Sequence, residues 1–260
     1  MSKTLNNKVI VITRPIERSK FAANIVKEFG GVPLLVPTLE LKFTLTPTLR
    51  RLLKQVKELD WLIFTSPAAL ESIFNFCPDL KEKISPQCKI AVIGPKTKLI
   101  AESKGLCIEI MPSEYTAEGL LDSFLPYDLK DKIIGIPSTL AARDMLSVEL
   151  TKKGAHVFIA EAYESIAPEE TYLIEDLIKK ILEKKVSAIT FTSPLTVNNL
   201  FNLVKKEEKT DFIEILSKKE VLVAAIGPVT GKTLQKYGIE ALIPEKYTVN
   251  DMMLKLFNHL

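Results

Sequence analysis

Short apolar runs alternate with longer amphipathic stretches along the whole chain. "VIVI" (9–12), "WLIF" (61–64) and "LVAAI" (222–226) are continuous blocks of Val, Ile, Leu, Ala and aromatic residues. A strand that reads this way is covered on both faces, the situation of parallel strands between layers of helix. The pattern predicts strands over Lys8–Ile12, Val32–Val36, Trp61–Thr65, Lys89–Ile93, Ile108–Met111, Lys132–Ile136, His156–Ala160, Ala188–Thr192, Leu222–Ile226 and Ala241–Ile243. Helical patterns lie between them. Phe21, Ala22, Ile25, Val26 and Phe29 recur at helical spacing, and Gly30-Gly31 stops that helix. Ala69, Leu70, Ile73 and Phe74 form a second stripe. Regular strand–helix alternation predicts parallel α/β sheets.

The pattern is also written twice. Residues 63–76 and 190–203 share six identities in fourteen aligned positions, beginning with Phe-Thr-Ser-Pro in both copies. "AVIGPKTKLIAESKG" (91–105) pairs with "AAIGPVTGKTLQKYG" (224–238), again with six identities, and "EYT" (114–116) pairs with "KYT" (246–248). More faintly, "KVIVITRP" matches "KIIGIPST" at a shift of 124. The unit is about half the chain, too long for a solenoid repeat and the right size for a duplicated five-strand α/β module.

Each repeated motif falls where a strand ends and a helix begins. Ser66 and Ser193 sit at N-cap positions, and Pro67 and Pro194 follow at the first helical position, where a missing N–H costs nothing. Gly94-Pro95 and Gly227-Pro228 occupy the same place in the second motif. Strand exit and capping alone account for these letters. A functional reading comes from location, because ligands of parallel α/β sheets bind outside the carboxyl ends of the strands. Those ends carry Arg14, Thr65, Ser66, Gly94, Ser138, Tyr163, Thr192, Ser193 and Gly227, with no Asp, Glu, His or Cys among the strand-end positions. Hydroxyls and helix N-termini suit an anion-rich ligand. They do not suit paired-carboxylate hydrolysis or metal chemistry.

Composition narrows the classes further. The chain has 260 residues, 47% hydrophobic and 26% charged, the balance of a globular protein. Its net charge is 35 − 32 = +3, with no basic stripe, so nucleic acid is not an expected partner. No apolar stretch approaches the ~18 residues of a membrane span. "MSKTLNNKVIVITRP" lacks a basic region followed by a long apolar core, and Cys77, Cys88 and Cys107 form no C-x-x-C, so a cytoplasmic protein with reduced thiols is expected. A zinc site or a Ser-His-Asp triad would have to rely on one of the two histidines, His156, which opens a strand, or His259, in the C-terminal tail, so neither is expected. "GPVTGKT" (227–233) resembles the end of a P-loop, but Ile226 stands where that loop requires glycine. No G-x-G-x-x-G follows a strand. No cofactor is expected.

In order along the chain, "VIVITRP", "LIFTSPAAL", "AVIGPKT", "ARDMLSVELTKKGAHVFIAEAYES", "ITFTSP", "AAIGPVTGKTL" and "YTVNDMMLKL" resemble the uroporphyrinogen-III synthase family, over about Lys8 to Leu256. The turn after Ile136 departs from the family, with Pro137-Ser138-Thr139 where a glycine-containing turn is more usual. The repeat alone suggests domains 1–125 and 130–260. The resemblance instead implies strand exchange: two flavodoxin-like parallel-sheet domains of five strands each, residues 1–38 with 168–260, and 39–167. Connectors near 35–43 and 157–168 form a two-stranded link between them.

The resemblance also implies an activity. Hydroxymethylbilane, a linear tetrapyrrole with eight carboxylates, is cyclised with inversion of ring D and loss of water, in the cleft between the domains. Loss of the hydroxyl gives an azafulvene, and a spiro intermediate fragments and recloses. The protein's task is to hold one folded conformation and assist the departing hydroxyl. Tyr163 in "AEAYES" matches the family's cleft tyrosine, a phenol able to donate to that hydroxyl. Thr230, Ser66, Ser193 and Thr65 match binding positions, while Lys232 and Arg143 match basic positions suited to carboxylates. A monomer that receives its substrate from the preceding synthase is expected. Two other classes remain open at this stage: a non-catalytic bilobal cytoplasmic protein binding an anionic small molecule, and a phosphate- or nucleotide-binding transferase. Turnover of hydroxymethylbilane to the type III isomer separates them.

Overall fold

The computed structural model describes residues 4–139 and 145–260. The chain divides into two compact units, residues 1–40 with 166–260 and residues 41–165.

Unit 1 opens with β1 (Val9–Ile12), α1 (Ile16–Glu28) and β2 (Val32–Leu35). Residues 41–165 hold most of β3 (Glu40–Phe43), then α2 (Pro47–Lys54), β4 (Trp61–Phe64), α3 (Pro67–Phe76), α4 (Leu80–Lys83), β5 (Lys89–Val92), α5 (Pro95–Ser103) and β6 (Ile108–Ile110). There follow α6 (Ala117–Ser123), β7 (Ile133–Thr139), α7 (Met145–Lys152) and β8 (His156–Ile166). Unit 1 then resumes with α8 (Tyr172–Leu182), β9 (Ala188–Phe191), α9 (Pro194–Leu203), α10 (Lys209–Ser217), β10 (Leu222–Ala225), α11 (Pro228–Gln235) and α12 (Val249–Phe257). Among the described residues, no helix is long and apolar enough to cross a membrane.

The sheet of unit 1 has the order β10-β9-β1-β2, all pairs parallel. Ile10 faces Ala188 across the ladder, so the first strand pairs with one nearly 180 residues away rather than with β4. The second sheet has the order β3-β8-β7-β4-β5-β6, parallel from β8 to β6. These strand counts, four and six, differ from five in each. The predicted strand Ala241–Ile243 contributes a single bridge, Leu242 to Ala224, and β3 adds a strand from the stretch read as a connector. With β3 set aside, the strand orders are β2-β1-β9-β10 followed by Leu242 in unit 1 and β8-β7-β4-β5-β6 in unit 2. The repeat matches them position by position.

Burial explains the continuous apolar runs. Val11, Ile189, Phe191, Val223 and Ala225 enter one core cluster, and Ile10, Ile12, Ala188 and Ala224 enter another on the opposite face. In unit 2, Leu62, Phe64, Ile90 and Val92 oppose Trp61, Ile63, Ala91 and Ile134 in the same way. Both faces are covered, so each strand position is under apolar demand.

Three predicted features differ from the structure. Phe21 is 58% exposed, and α1 packs instead through Ser19, Ala22, Ala23, Ile25 and Val26. The strands predicted to end at Ile136 and Ala160 continue to Thr139 and Ile166. Ser138 and Tyr163 therefore lie inside paired strands, not in turns after them. Pro137 does not break β7, because the pairing of β7 with β4 ends at Gly135 and only β8 accompanies it beyond. A missing N–H is tolerated on such an edge.

Candidate functional site

In parallel sheets every carboxyl end emerges on one side, so each unit gathers its strand-end residues along one edge. Within unit 2 these are Thr65 and Ser66 after β4, Gly94 after β5, and Ser138 and Tyr163 towards the ends of β7 and β8. Ser66 caps α3: its hydroxyl accepts from the Ala69 N–H at 3.1 Å. The same oxygen lies 3.1 Å from the Tyr163 hydroxyl. Thr65 is half-buried beside it. Ser138, at 6% exposure, is buried within β7 and faces Glu161 in the ladder.

The direction of Tyr163 has a local cause. The β7–β8 register runs residue by residue as far as Ser138 opposite Glu161, then shifts so that Thr139 faces Tyr163. Ala162 is the extra residue. A bulge of this kind re-aims the side chain that follows it. Phe158, Ala160 and Ala162 alternate onto one core face, and strict alternation would send Tyr163 to the other. Instead Tyr163 packs half-buried against that same cluster.

Hydroxyls from neighbouring elements fasten the bulge. Thr46 Oγ1 donates to the Glu161 carbonyl at 2.7 Å, and Thr48 Oγ1 accepts from the Glu161 N–H at 3.0 Å. These two side chains satisfy the β8 backbone just past the end of β3. Ser72 of α3, with 0% exposure, donates to the Ala162 carbonyl. Sequence reading missed Thr46, Thr48 and Ser72. The available signal was one hydroxyl inside the apolar stripe of α3, between Leu70 and Ile73.

Unit 1 carries the counterpart edge. Thr13 Oγ1 donates to the Thr190 carbonyl at 2.8 Å, and Thr190 Oγ1 donates to the Val11 carbonyl at 2.9 Å, so the ends of β1 and β9 are cross-tied. Thr38 donates to the Thr196 carbonyl at 2.9 Å, and Asn199 donates to the Thr38 carbonyl at 2.7 Å. Ser193 caps α9, accepting from Thr196 N–H at 3.3 Å, with Thr192 half-buried before it. Arg14 follows β1. Burial, and after it the neighbouring Arg18 guanidinium, push its pKa below the ordinary value for arginine, and no carboxylate among the described residues pairs with it. Thr230 is 3% exposed on α11. Lys232 is exposed and lines a groove of about 550 Å³ with Gly231 and Gln235. Arg143 lies outside the described residues.

The two repeated motifs differ in what they leave open. Ser66 and Ser193 fill their helix N-termini with their own hydroxyls. Gly94 and Gly227 cap α5 and α11 and offer no side-chain acceptor, so first-turn N–H groups there remain available to an anion. Gly94 has room for a side chain, the nearest atom to a Cβ being Tyr115 Cβ at 4.0 Å. At Gly227 a Cβ would come within 3.4 Å of the Tyr247 ring. Tyr115 and Tyr247 are the paired tyrosines of the "EYT" and "KYT" repeat, both exposed.

Comparison with known proteins gives a consistent result. The family model described as uroporphyrinogen-III synthase HemD matches residues 19–253. A provisionally named uroporphyrinogen-III synthase of Methanothermobacter thermautotrophicus is 46% identical over 95% of this chain and 96% of its own. The uroporphyrinogen-III synthase of Synechococcus elongatus is 28% identical over 97% of this chain and 95% of its own. Among solved structures, the synthase of Helicobacter pylori covers 97% of this chain and 99% of its own with a TM-score of 0.64 at 16% identity. A Thermus thermophilus synthase variant covers 97% and 98% with a TM-score of 0.60 at 18% identity. At those identities the structural likeness speaks to the fold.

Proposed function

The chain belongs to the uroporphyrinogen-III synthase family, and on that premise we propose that Tyr163 is the proton donor to the hydroxyl that leaves hydroxymethylbilane. The enzyme is a cyclising lyase of tetrapyrrole biosynthesis. The substrate's C–O bond breaks as the adjacent pyrrole nitrogen pushes electrons towards it. The departing oxygen takes the phenol proton and leaves as water, and the pyrrole N–H proton restores the phenol, giving a neutral azafulvene. Ring D then bonds to the azafulvene carbon to form the spiro intermediate. Its original bond to the bridging carbon breaks, and it recloses onto that carbon through its free position, losing the proton there, so that the ring is inverted. That carbon chemistry belongs to the pyrroles; the protein contributes orientation and one placed proton.

One observation carries the assignment. The Tyr163 hydroxyl is held 3.1 Å from Ser66 Oγ, towards the carboxyl ends of β8 and β4. The substrate's carboxylates fit the rest of the edge residues. Arg14 and Lys232 supply positive charge, and the glycine-capped ends of α5 and α11 supply N–H groups. Thr65, Ser138, Thr192, Ser193 and Thr230 belong to the same reading as polar lining. Chemistry at the leaving group tests it. Tyr163→Phe should slow the natural substrate strongly. A bilane whose hydroxyl is replaced by a group that departs without protonation should be slowed far less. Equal slowing of both substrates would remove Tyr163 from the proton transfer.

The same reading takes each unit as a flavodoxin-like domain of five strands, 1–38 with 168–260 and 39–167, with the first strand–helix–strand unit exchanged. Its support is the strand order second-first-third-fourth-fifth, which unit 1 follows once Leu242 is counted, and which unit 2 follows when β7 is taken as its first strand.

A further inference from the structure

We propose that Ser66 and Ser72, two hydroxyls of one helix, are positioning residues that act through Tyr163; the inference rests on the reading of Tyr163 as proton donor. Each serine also has a plain structural role. Ser66 is an N-cap, and Ser72 is a small buried polar residue. Neither role accounts for where their bonds go. Ser72 is completely buried, and its hydroxyl reaches across to the carbonyl of Ala162, the one residue the bulge removes from regular β7–β8 pairing. Ser66 already accepts the Ala69 N–H, and its second interaction is with the phenol oxygen of the very next residue, Tyr163.

Helix α3 thus holds two consecutive residues of β8, one by the backbone and one by the side chain. The bulge sets the direction of Tyr163, Ser72 fixes the bulge, and Ser66 fixes the rotation of the hydroxyl. A phenol O–H can flip between two orientations in the plane of the ring. We take Ser66 as the donor of the pair: its oxygen accepts the Ala69 N–H, and its own O–H goes to the phenol oxygen at 3.1 Å. The phenol proton is left aimed away from the serine for the substrate, so less ordering is needed when it arrives. Thr46 and Thr48 complete the arrangement by gripping both backbone groups of Glu161. Sequence placed Ser66 among residues that touch substrate. The geometry assigns it to the tyrosine instead.

The test is a double-mutant cycle on the full-length enzyme, with kcat and KM measured for type III product. Ser66→Ala and Ser66→Gly should each lower kcat about five- to tenfold, the size of one lost hydrogen bond, with KM little changed. Glycine is a far better N-cap than alanine, so the two variants should differ in thermal midpoint while sharing the same kcat. That divergence separates positioning from a capping effect. Ser66→Thr should restore the rate. Ser72→Ala should lower kcat in the same direction, and Ser72→Cys should recover part of it. In a Tyr163→Phe background none of these changes should cost anything further, because no hydroxyl remains to be aimed. If the Ser66 and Tyr163 losses multiply, or if Ser66→Gly raises KM and spares kcat, the serine meets substrate directly and the inference falls. If Tyr163→Phe alone turns over at the wild-type rate, the proton-donor reading falls, and that outcome is distinguishable from the others.

Discussion

The Tyr163 hydroxyl and Ser66 Oγ stand 3.1 Å apart although 97 residues of sequence separate them. β8 and β4 have β7 between them in the sheet, so the two side chains meet across the end of that strand, and the proposed catalysis depends on the meeting. Much around it is scaffold with measurable properties of its own.

Gly94 separates binding from stability. Its backbone is extended, with φ −141, so any residue can adopt it, and a Cβ there meets nothing closer than 4.0 Å. Gly94→Ser should cap α5 with its own hydroxyl and stabilise the protein by a few tenths of a kcal/mol, the usual difference between serine and glycine caps. The same hydroxyl would occupy an N–H otherwise open to a substrate carboxylate. Calorimetry should show a slightly raised melting temperature, and kinetics a KM raised several-fold, within the range of one hydrogen bond to a charged group. A raised melting temperature with unchanged KM would mean that this helix end does not hold substrate.

Asp60 gives unit 2 a pH dependence of known sign. Its carboxylate accepts from the Ile133 N–H at 2.9 Å and from Lys132 Nζ at 3.0 Å. Burial alone would raise its pKa, but these two bonds and the lysine charge outweigh it, and the net value lies below the ordinary 3.8. A carboxyl depressed on folding stabilises fully above its unfolded pKa and loses that contribution as pH falls through the folded value. The stability gap between wild type and Asp60→Asn should therefore be constant near neutrality and shrink once the pH drops below 3.8. Denaturant melts across that range will show it, and a gap that widens on acidification would contradict the sign.

The thiols should label in a fixed order. Burial, with a smaller contribution from the Asp60 charge, pushes the Cys88 thiol up to about 12. Burial, followed by the Cys77–Asp79 hydrogen bond, also raises Cys77, while Cys107 is exposed. Only the thiolate reacts. Mass spectrometry after mild alkylation at slightly alkaline pH should find Cys107 modified first, with Cys77 and Cys88 protected until the chain unfolds. Cys88 labelling as fast as Cys107 would refute this.

Much of the scaffold was legible because its causes are local. Ser66, Pro67, Gly94 and Pro95 announce strand exit and helix start within four letters, and their helices begin at Pro67 and Pro95. Strands such as Trp61–Phe64 were legible because all four positions are buried. What escaped was set by distant partners. Phe21 looked like core but is exposed, since α1 packs through Ser19, Ala22, Ala23, Ile25 and Val26 and Phe21 lies off that face. Pro137 looked like a stop but lies in a strand whose other neighbour has already left it. Tyr163 was named from a family likeness. Its bulge, its bond to Ser66 and the support from Ser72 depend on pairing register, which no local pattern encodes.

The most direct test follows the isomers formed from hydroxymethylbilane, because the type I isomer arises spontaneously and only the enzyme gives type III. Wild-type protein should yield type III product. Tyr163→Phe should form it about ten- to a hundredfold more slowly, the lower part of the range for a positioned proton donor, with an unchanged unfolding transition. Product that is only type I, or a Tyr163→Phe enzyme as fast as wild type, would contradict the account.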